Sequence, residues 1–324
     1  FEQWKNIDKD ALKSNLSKNE ELKYALLAET PWVLAAQNEA TQKQNIGLLF
    51  DLNKMSYEQN KARDKMAERQ MANGGFGWMP GGMHSWYITQ YIVEGMGHLQ
   101  KLGVKNIEAD DKMKKVLQKA ISFIDEELAL HYNKLLKRAK ESKDEKAYLD
   151  NDHLDYLAIH YLYARTFFLG QEIDSKKCQE AMTYYEGQAQ KYWLNKSMYM
   201  QGMIALALHR KGADKETPMK IVKSAKENAL NSKELGMYWK DNIGGYYWYQ
   251  APIETQALLI EAFDEVNNDE TAVEDMKVWL LKQKQTTDWK TTKATAEACY
   301  ALLLRGTELL TNDEMVEIKV AGKV

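Results

Sequence analysis

Two cysteines in 324 residues, Cys178 and Cys299, are too few for a disulfide framework or a four-cysteine zinc site. Prolines number 4, so little interrupts long helices. No apolar run approaches the roughly 20 residues that would cross a bilayer as a helix. Neither sign of charge dominates. Lys and Arg total 44 against 47 Asp and Glu, a net charge of -3, which removes the electrostatic footprint of a nucleic-acid binder. Gly-x-Ser-x-Gly, His-Glu-x-x-His and Cys-x-x-Cys are all missing. What is present is 44% hydrophobic and 28% charged, a globular balance. A chain this long buries roughly three quarters of its unfolded surface without help from a metal.

Helix punctuation is plain. Thr30-Pro31 and Thr217-Pro218 each place a capping hydroxyl before a proline at the first helical position, and Ala251-Pro252 offers the proline without the cap. Gly74, Gly103, Gly170, Gly212 and Gly306 follow apolar periodic stretches as stop signals. Between these signals the periodicity predicts about twelve helices. They run near 9–28, 31–53, 57–72, 85–102, 110–141, 152–169, 175–192, 196–211, 218–230, 252–267, 269–284 and 293–305. In chain order they pair into six hairpins.

The helices are of two kinds. Helix 175–192 carries Cys178, Ala181, Met182, Tyr185 and Ala189 on one face, and helix 110–141 carries Leu117, Ile121, Ile124, Leu128 and Leu135. Such amphipathic helices belong on the outside. Helix 196–211 is apolar all round, and helix 293–305 is crowded with Ala294, Ala296, Ala298, Cys299 and Ala301. These read as inner helices, together with 85–102, 152–169 and 252–267. Cys299 is accordingly expected to be a buried thiol, and no bond to Cys178 is expected. A weak repeat near 40 residues relates Thr255-Gln-Ala-Leu-Leu to Thr295-Ala-Glu-Ala-Cys. The expected fold is all-α, an (α/α)6 toroid of six helical hairpins, with an open solenoid as the alternative.

The ends read differently. Phe1-Glu2-Gln3-Trp4 resembles the end of a helix under way, and Val316-Glu-Ile-Lys-Val-Ala-Gly-Lys-Val324 alternates like a strand. The expected organisation is a helical domain over 1–311 and the start of a β domain over 312–324, within a longer protein.

Three stretches are candidates for chemistry. Gly74-Gly-Phe-Gly-Trp78-Met-Pro-Gly-Gly82 lacks the preceding strand and the Lys-Ser/Thr of a phosphate loop, so it reads first as a tight turn before an inner helix. Asp150-Asn-Asp-His153 precedes a helix bearing Asp155 and His160. The two histidines are seven residues apart, about two turns, too far to share an ion, and N-capping is the simpler role. No metal or cofactor is expected. Trp78, Trp86, Tyr87, Tyr246, Tyr247, Trp248, Tyr249 and Trp289 fall at loops or inner-helix starts. With Glu254 and Asp155 as a carboxylate pair they would suit a toroidal carbohydrate-active enzyme. A non-catalytic interaction module is a further alternative.

Asn73-Gly-Gly-Phe-Gly-Trp78 followed by Ser85-Trp-Tyr-Ile-Thr89-Gln-Tyr91 resembles the thioester domain of bacterial alpha-2-macroglobulin-like proteins. Glu29-Thr-Pro-Trp-Val33 with Gln37-Asn-Glu-Ala, and Trp289-Lys-Thr-Thr-Lys-Ala-Thr-Ala-Glu-Ala298, are similar to the same family. The resemblance implies an (α/α)6 toroid, a non-enzymatic endopeptidase inhibitor that traps proteases, and a periplasmic or envelope setting as a lipoprotein. It implies target proteases and neighbouring β domains as partners. In that family a Cys-x-Glu-Gln segment forms an internal thioester. Neither Cys178 nor Cys299 is followed by x-Glu-Gln, so the thioester is expected to lie upstream of Phe1. This domain would then shield it, with Trp78, His84, Trp86 and Tyr87 as the mouth. His84, whose side chain titrates near neutral pH, is the candidate base for acyl transfer.

Overall fold

The computed structural model describes residues 52–104, 110–244, 251–286 and 289–305. Predicted helix 9–28, most of 31–53, the Tyr246–Tyr249 loop, Gly306 and the tail lie outside these residues, as do Thr30-Pro31 and the Glu29–Ala40 motifs. Among the described residues the chain is all-α, with eleven helices and two small strand pairs. Helix α1 (Leu52–Arg69) belongs to a first compact unit, and residues from Gln70 onward form a second.

The second unit contains α2 (Trp86–Lys101), α3 (Asp111–Glu141), α4 (Glu145–Asp150), α5 (Tyr156–Arg165), α6 (Lys176–Tyr192) and α7 (Met198–Lys211). It continues with α8 (Glu216–Glu227), α9 (Pro252–Asn267), α10 (Glu270–Thr286) and α11 (Thr292–Leu303). Side-chain caps explain most starts. Ser85, Asp110, Asp155, Ser175, Ser197 and Thr291 each accept from a backbone N–H two or three residues on. Gly212, at φ 71°, closes α7 in the left-handed conformation that glycine adopts without a Cβ clash.

The predicted layering holds where the residues are described. Helices α2, α5, α7, α9 and α11 pack side by side in that order. Around them, α3 lies on α2 and α6, α6 on α5, α8 on α7 and α10 on α9. Helix α7 is buried continuously from Gly202 to Leu208, as an inner helix must be.

Four expectations are corrected. Helix 152–169 starts later, at Tyr156, and tightens into a 3-10 turn over Thr166–Phe168. The segment 230–238 is a small antiparallel hairpin, β3 (Leu230–Ser232) with β4 (Gly236–Tyr238), besides the pair β1 (Phe76–Gly77) and β2 (His84–Ser85). Thr217 does not cap α8. Asp214 Oδ1 accepts from the N–H groups of Glu216 and Thr217, which moves the start two residues upstream and puts Pro218 third in the helix. Cys299 is exposed rather than buried. Helix α11 buries the face of Ala294, Glu297, Ala298 and Ala301, and Thr295, Ala296 and Cys299 fall on the other face. Cys178 is buried, and both thiols are free.

Candidate functional site

The glycine-rich stretch is a built turn. Asn73 Oδ1 accepts from Gly75 N at 3.1 Å, and Phe76 N donates to Thr89 Oγ1 at 2.9 Å. Thr89 Oγ1 in turn donates to Ser85 O, and Ser85 Oγ caps α2. Gly74 has φ +86°, and a Cβ there would lie 2.3 Å from Lys119 O, so no other residue fits. Beyond this turn, Trp78, Met79 and Met83 are exposed on the connecting loop.

The four mouth candidates separate into two groups. Trp78 stacks on Tyr87, centroids 5.7 Å apart, and Tyr87 faces Tyr156 and His160 on α5. Trp86 is buried against His131 of α3. His84 packs edge-on to Phe123, with Nδ1 3.3 Å from Asn73 Nδ2 and Nε2 3.9 Å from Glu127. The proposed sugar-cleaving pair is also divided. Asp155 caps α5 and meets His131 Nε2 at 3.1 Å, whereas Glu254 is buried on α9 within the field of Lys293. Asp152 is bound by Lys196, and His153 Nε2 donates to Tyr148 O, so this cluster serves the local fold.

The inner helices carry something the motifs did not announce. Glu94, His98 and Lys101 of α2 stand at i, i+4 and i+7, and so do Lys293, Glu297 and Tyr300 of α11. Each triplet forms a polar stripe along one helical face. Glu261 of α9, Tyr163 and His160 of α5 and Arg210 of α7 meet them. The result is a buried ionic network at the centre of an otherwise apolar layer.

Glu261 is its hub. Tyr163 and Tyr300 donate hydroxyls to its two oxygens, Arg210 Nη2 donates at 2.7 Å and Lys101 Nζ at 3.1 Å. Arg210 also forks onto Glu265, at 2.8 and 2.6 Å. Burial alone would raise the Glu261 pKa, but the Arg210 and Lys101 charges outweigh it and hold the carboxyl well below the usual range.

A second node is Glu94, whose Oε2 accepts from His160 Nε2 at 2.7 Å. Lys293 lies over the rings of Tyr87, Tyr91 and Tyr199 at 5.3 to 5.9 Å. Glu297 is buried, with His98 Nδ1 3.7 Å away and the Lys293 charge acting on it. Burial, then the Glu94 charge, pushes the Glu297 carboxyl well above its ordinary value. The His98 imidazole is shifted down by burial.

No family model matches the sequence, nor does any curated protein. Among the described residues no helix is long and apolar enough to cross a membrane.

The buried network was missed because its members lie on five helices far apart in sequence. A signal was nonetheless there. Leu258-Leu-Ile-Glu261-Ala-Phe263 places one carboxylate in a fully apolar run, and such a group must be paired to be buried.

Proposed function

We propose that this chain is the helical shielding domain of a macroglobulin-like protease trap, working in the periplasm or cell envelope. The observation that carries the reading is the turn Asn73–Thr89. Within the two stretches that open the family resemblance, Asn73, Gly74, Phe76, Ser85 and Thr89 are joined by this turn through hydrogen bonds or a backbone conformation only glycine accommodates. The layered helical hairpins are also what an (α/α)6 toroid requires.

In this reading the domain supplies no nucleophile. Cys178 is buried and its thiol is pushed up to about 11 by burial, and Cys299 lacks the Glu-Gln that a thioester needs. The domain's contribution is to keep water from a thioester carried elsewhere in the polypeptide, since such a bond hydrolyses when wet. The exposed loop Trp78–Met83, with Trp78 braced on Tyr87, is the surface offered to it. Trp86, held in the core, braces α2 from behind. Target proteases are the partners, reached through the whole protein.

The test is methylamine incorporation. The residues encoded immediately before Phe1 are added back, and labelled methylamine uptake and protease capture are measured. Uptake by the extended protein and none by this chain alone supports the proposal, with faster hydrolysis expected for Trp78→Ala. Uptake by this chain alone, or failure of the extended protein to inhibit any endopeptidase, overturns it.

A further inference from the structure

The tautomer of His98 is fixed by its neighbours. Glu261 is ionised between Arg210 and Lys101, so the Tyr163 hydroxyl hydrogen points to Glu261. The Tyr163 oxygen, 2.9 Å from His98 Nε2, must then accept, and Nε2 carries the ring hydrogen. His98 Nδ1 is left with a bare lone pair. That lone pair faces Glu297 Oε2 at 3.7 Å, beyond hydrogen-bond distance, in a buried place.

The gap has room for a small cation. A shared proton would draw the two atoms to within about 3 Å. Two ligand atoms each about 2.1 Å from one ion stand about 3.4 Å apart at a tetrahedral angle, near the 3.7 Å between His98 Nδ1 and Glu297 Oε2, and the closest His98–Glu94 approach is 4.0 Å. A third ligand is at hand. One ligand atom each from Glu94, His98 and Glu297 lies within 4.8 Å of the other two, and among the described residues no other group of three does so. The outer contacts are those of a metal site. His160 Nε2 holds Oε2 of Glu94, Glu94 Oε1 lies 4.0 Å from His98 Nε2, Tyr163 meets that same nitrogen, and Tyr300 stacks flat against the imidazole.

We propose that Glu94, His98 and Glu297 bind one divalent transition-metal ion of the zinc class. Two carboxylates and one imidazole neutralise a dication and match the ligand preference of zinc more closely than that of calcium or magnesium. Lys101 and Arg210 are engaged by Glu261 and Glu265, while Lys293, held among three tyrosine rings, also acts on Glu94 and Glu297. The site joins α2 to α11, the first and last inner helices described, and its role would be to tie these two together. It is independent of the protease-trap reading.

The experiment uses the whole chain, stripped with a chelator and dialysed against micromolar zinc chloride, with bound metal counted by mass spectrometry. One zinc per chain and a raised thermal midpoint are expected. Glu297→Gln and His98→Gln should each weaken binding by at least tenfold, and His160→Gln, outside the ligand set, by about tenfold. Circular dichroism establishes that each variant keeps its helices. The wild-type measurement stands without any variant: no zinc retained at micromolar concentration means that a proton fills the gap, and overturns the proposal. Stoichiometric zinc retained undiminished by folded Glu297→Gln and by folded His98→Gln also overturns it, because the ion then sits elsewhere.

Discussion

His98 lies flat on Tyr300, with ring centroids 3.7 Å apart and planes 8° from parallel. Each ring is also the start of a hydrogen-bonded arm. Tyr300 donates to Glu261, and His98 reaches the same carboxylate through Tyr163. The stack therefore closes a loop that runs through α2, α5, α9 and α11.

Glu261→Gln tests that loop. Removing the carboxylate charge leaves Arg210 and Lys101 without their common partner, and breaking a buried pair in this way costs about 3–5 kcal/mol. The urea midpoint should fall accordingly. The sign with pH also follows. The folded pKa of Glu261 lies below its unfolded value of about 4.3, so its stabilisation is full above that value and is lost as the pH falls below it. The acid limb of the stability curve should be shallower in Glu261→Gln than in wild type.

Two glycines on α2 should respond in opposite ways. At Gly97 a Cβ would meet the Phe167 ring at 2.3 Å, and at Gly95 it would meet nothing within 4 Å. Gly97→Ala should destabilise by about 1–3 kcal/mol through overpacking. Gly95→Ala should stabilise by up to about 1 kcal/mol through helix propensity. Thermal melts of both decide, and equal effects would mean that the α2–Phe167 contact is misplaced.

The thiols should differ sharply in reactivity. Cys299 is exposed and Cys178 is buried, with its thiol pushed up to about 11 by burial. A thiol reagent at pH 8 should label Cys299 alone in the folded protein and both cysteines in denaturant. Mass spectrometry of the labelled peptides reads this directly.

Trp78→Ala and Trp86→Ala should separate surface from core. Trp86 is buried against His131, and its loss should cost about 3–5 kcal/mol. Trp78 is 70% exposed, so its removal should change stability by less than about 1 kcal/mol. A large loss for Trp78→Ala would place that ring in the core.

These contrasts mark where the sequence could be read and where it could not. The start at Pro252 was legible because proline fits the first helical position, whereas Thr217 lost its expected place to Asp214, whose side chain takes the first N–H groups. The layering was legible because α7 is apolar all round and α6 on one face only, and burial follows that difference. Cys299 was misread because a count of small residues says nothing about which face they occupy. The hairpin at 230–238 escaped because strands of three residues are too short to show alternation. Glu94, Glu261 and Glu297 escaped for a different reason. Glu94 and Glu261 are compensated by residues far along the chain, His160 for the first and Lys101, 160 positions away, for the second, and Glu297 faces His98 of α2.

That distance bears on how the molecule assembles. Glu261 takes partners from α2, α5, α7 and α11, so no one neighbouring helix can satisfy it. A partly assembled chain that brings α9 to α7 alone leaves the carboxylate short of donors, and water must stay with it. Desolvation can finish only when the segments bearing Lys101 and Tyr300 have both arrived. The last inner helix to dock should therefore carry an unusually large share of the cooperativity, and refolding should be slow for so helical a protein.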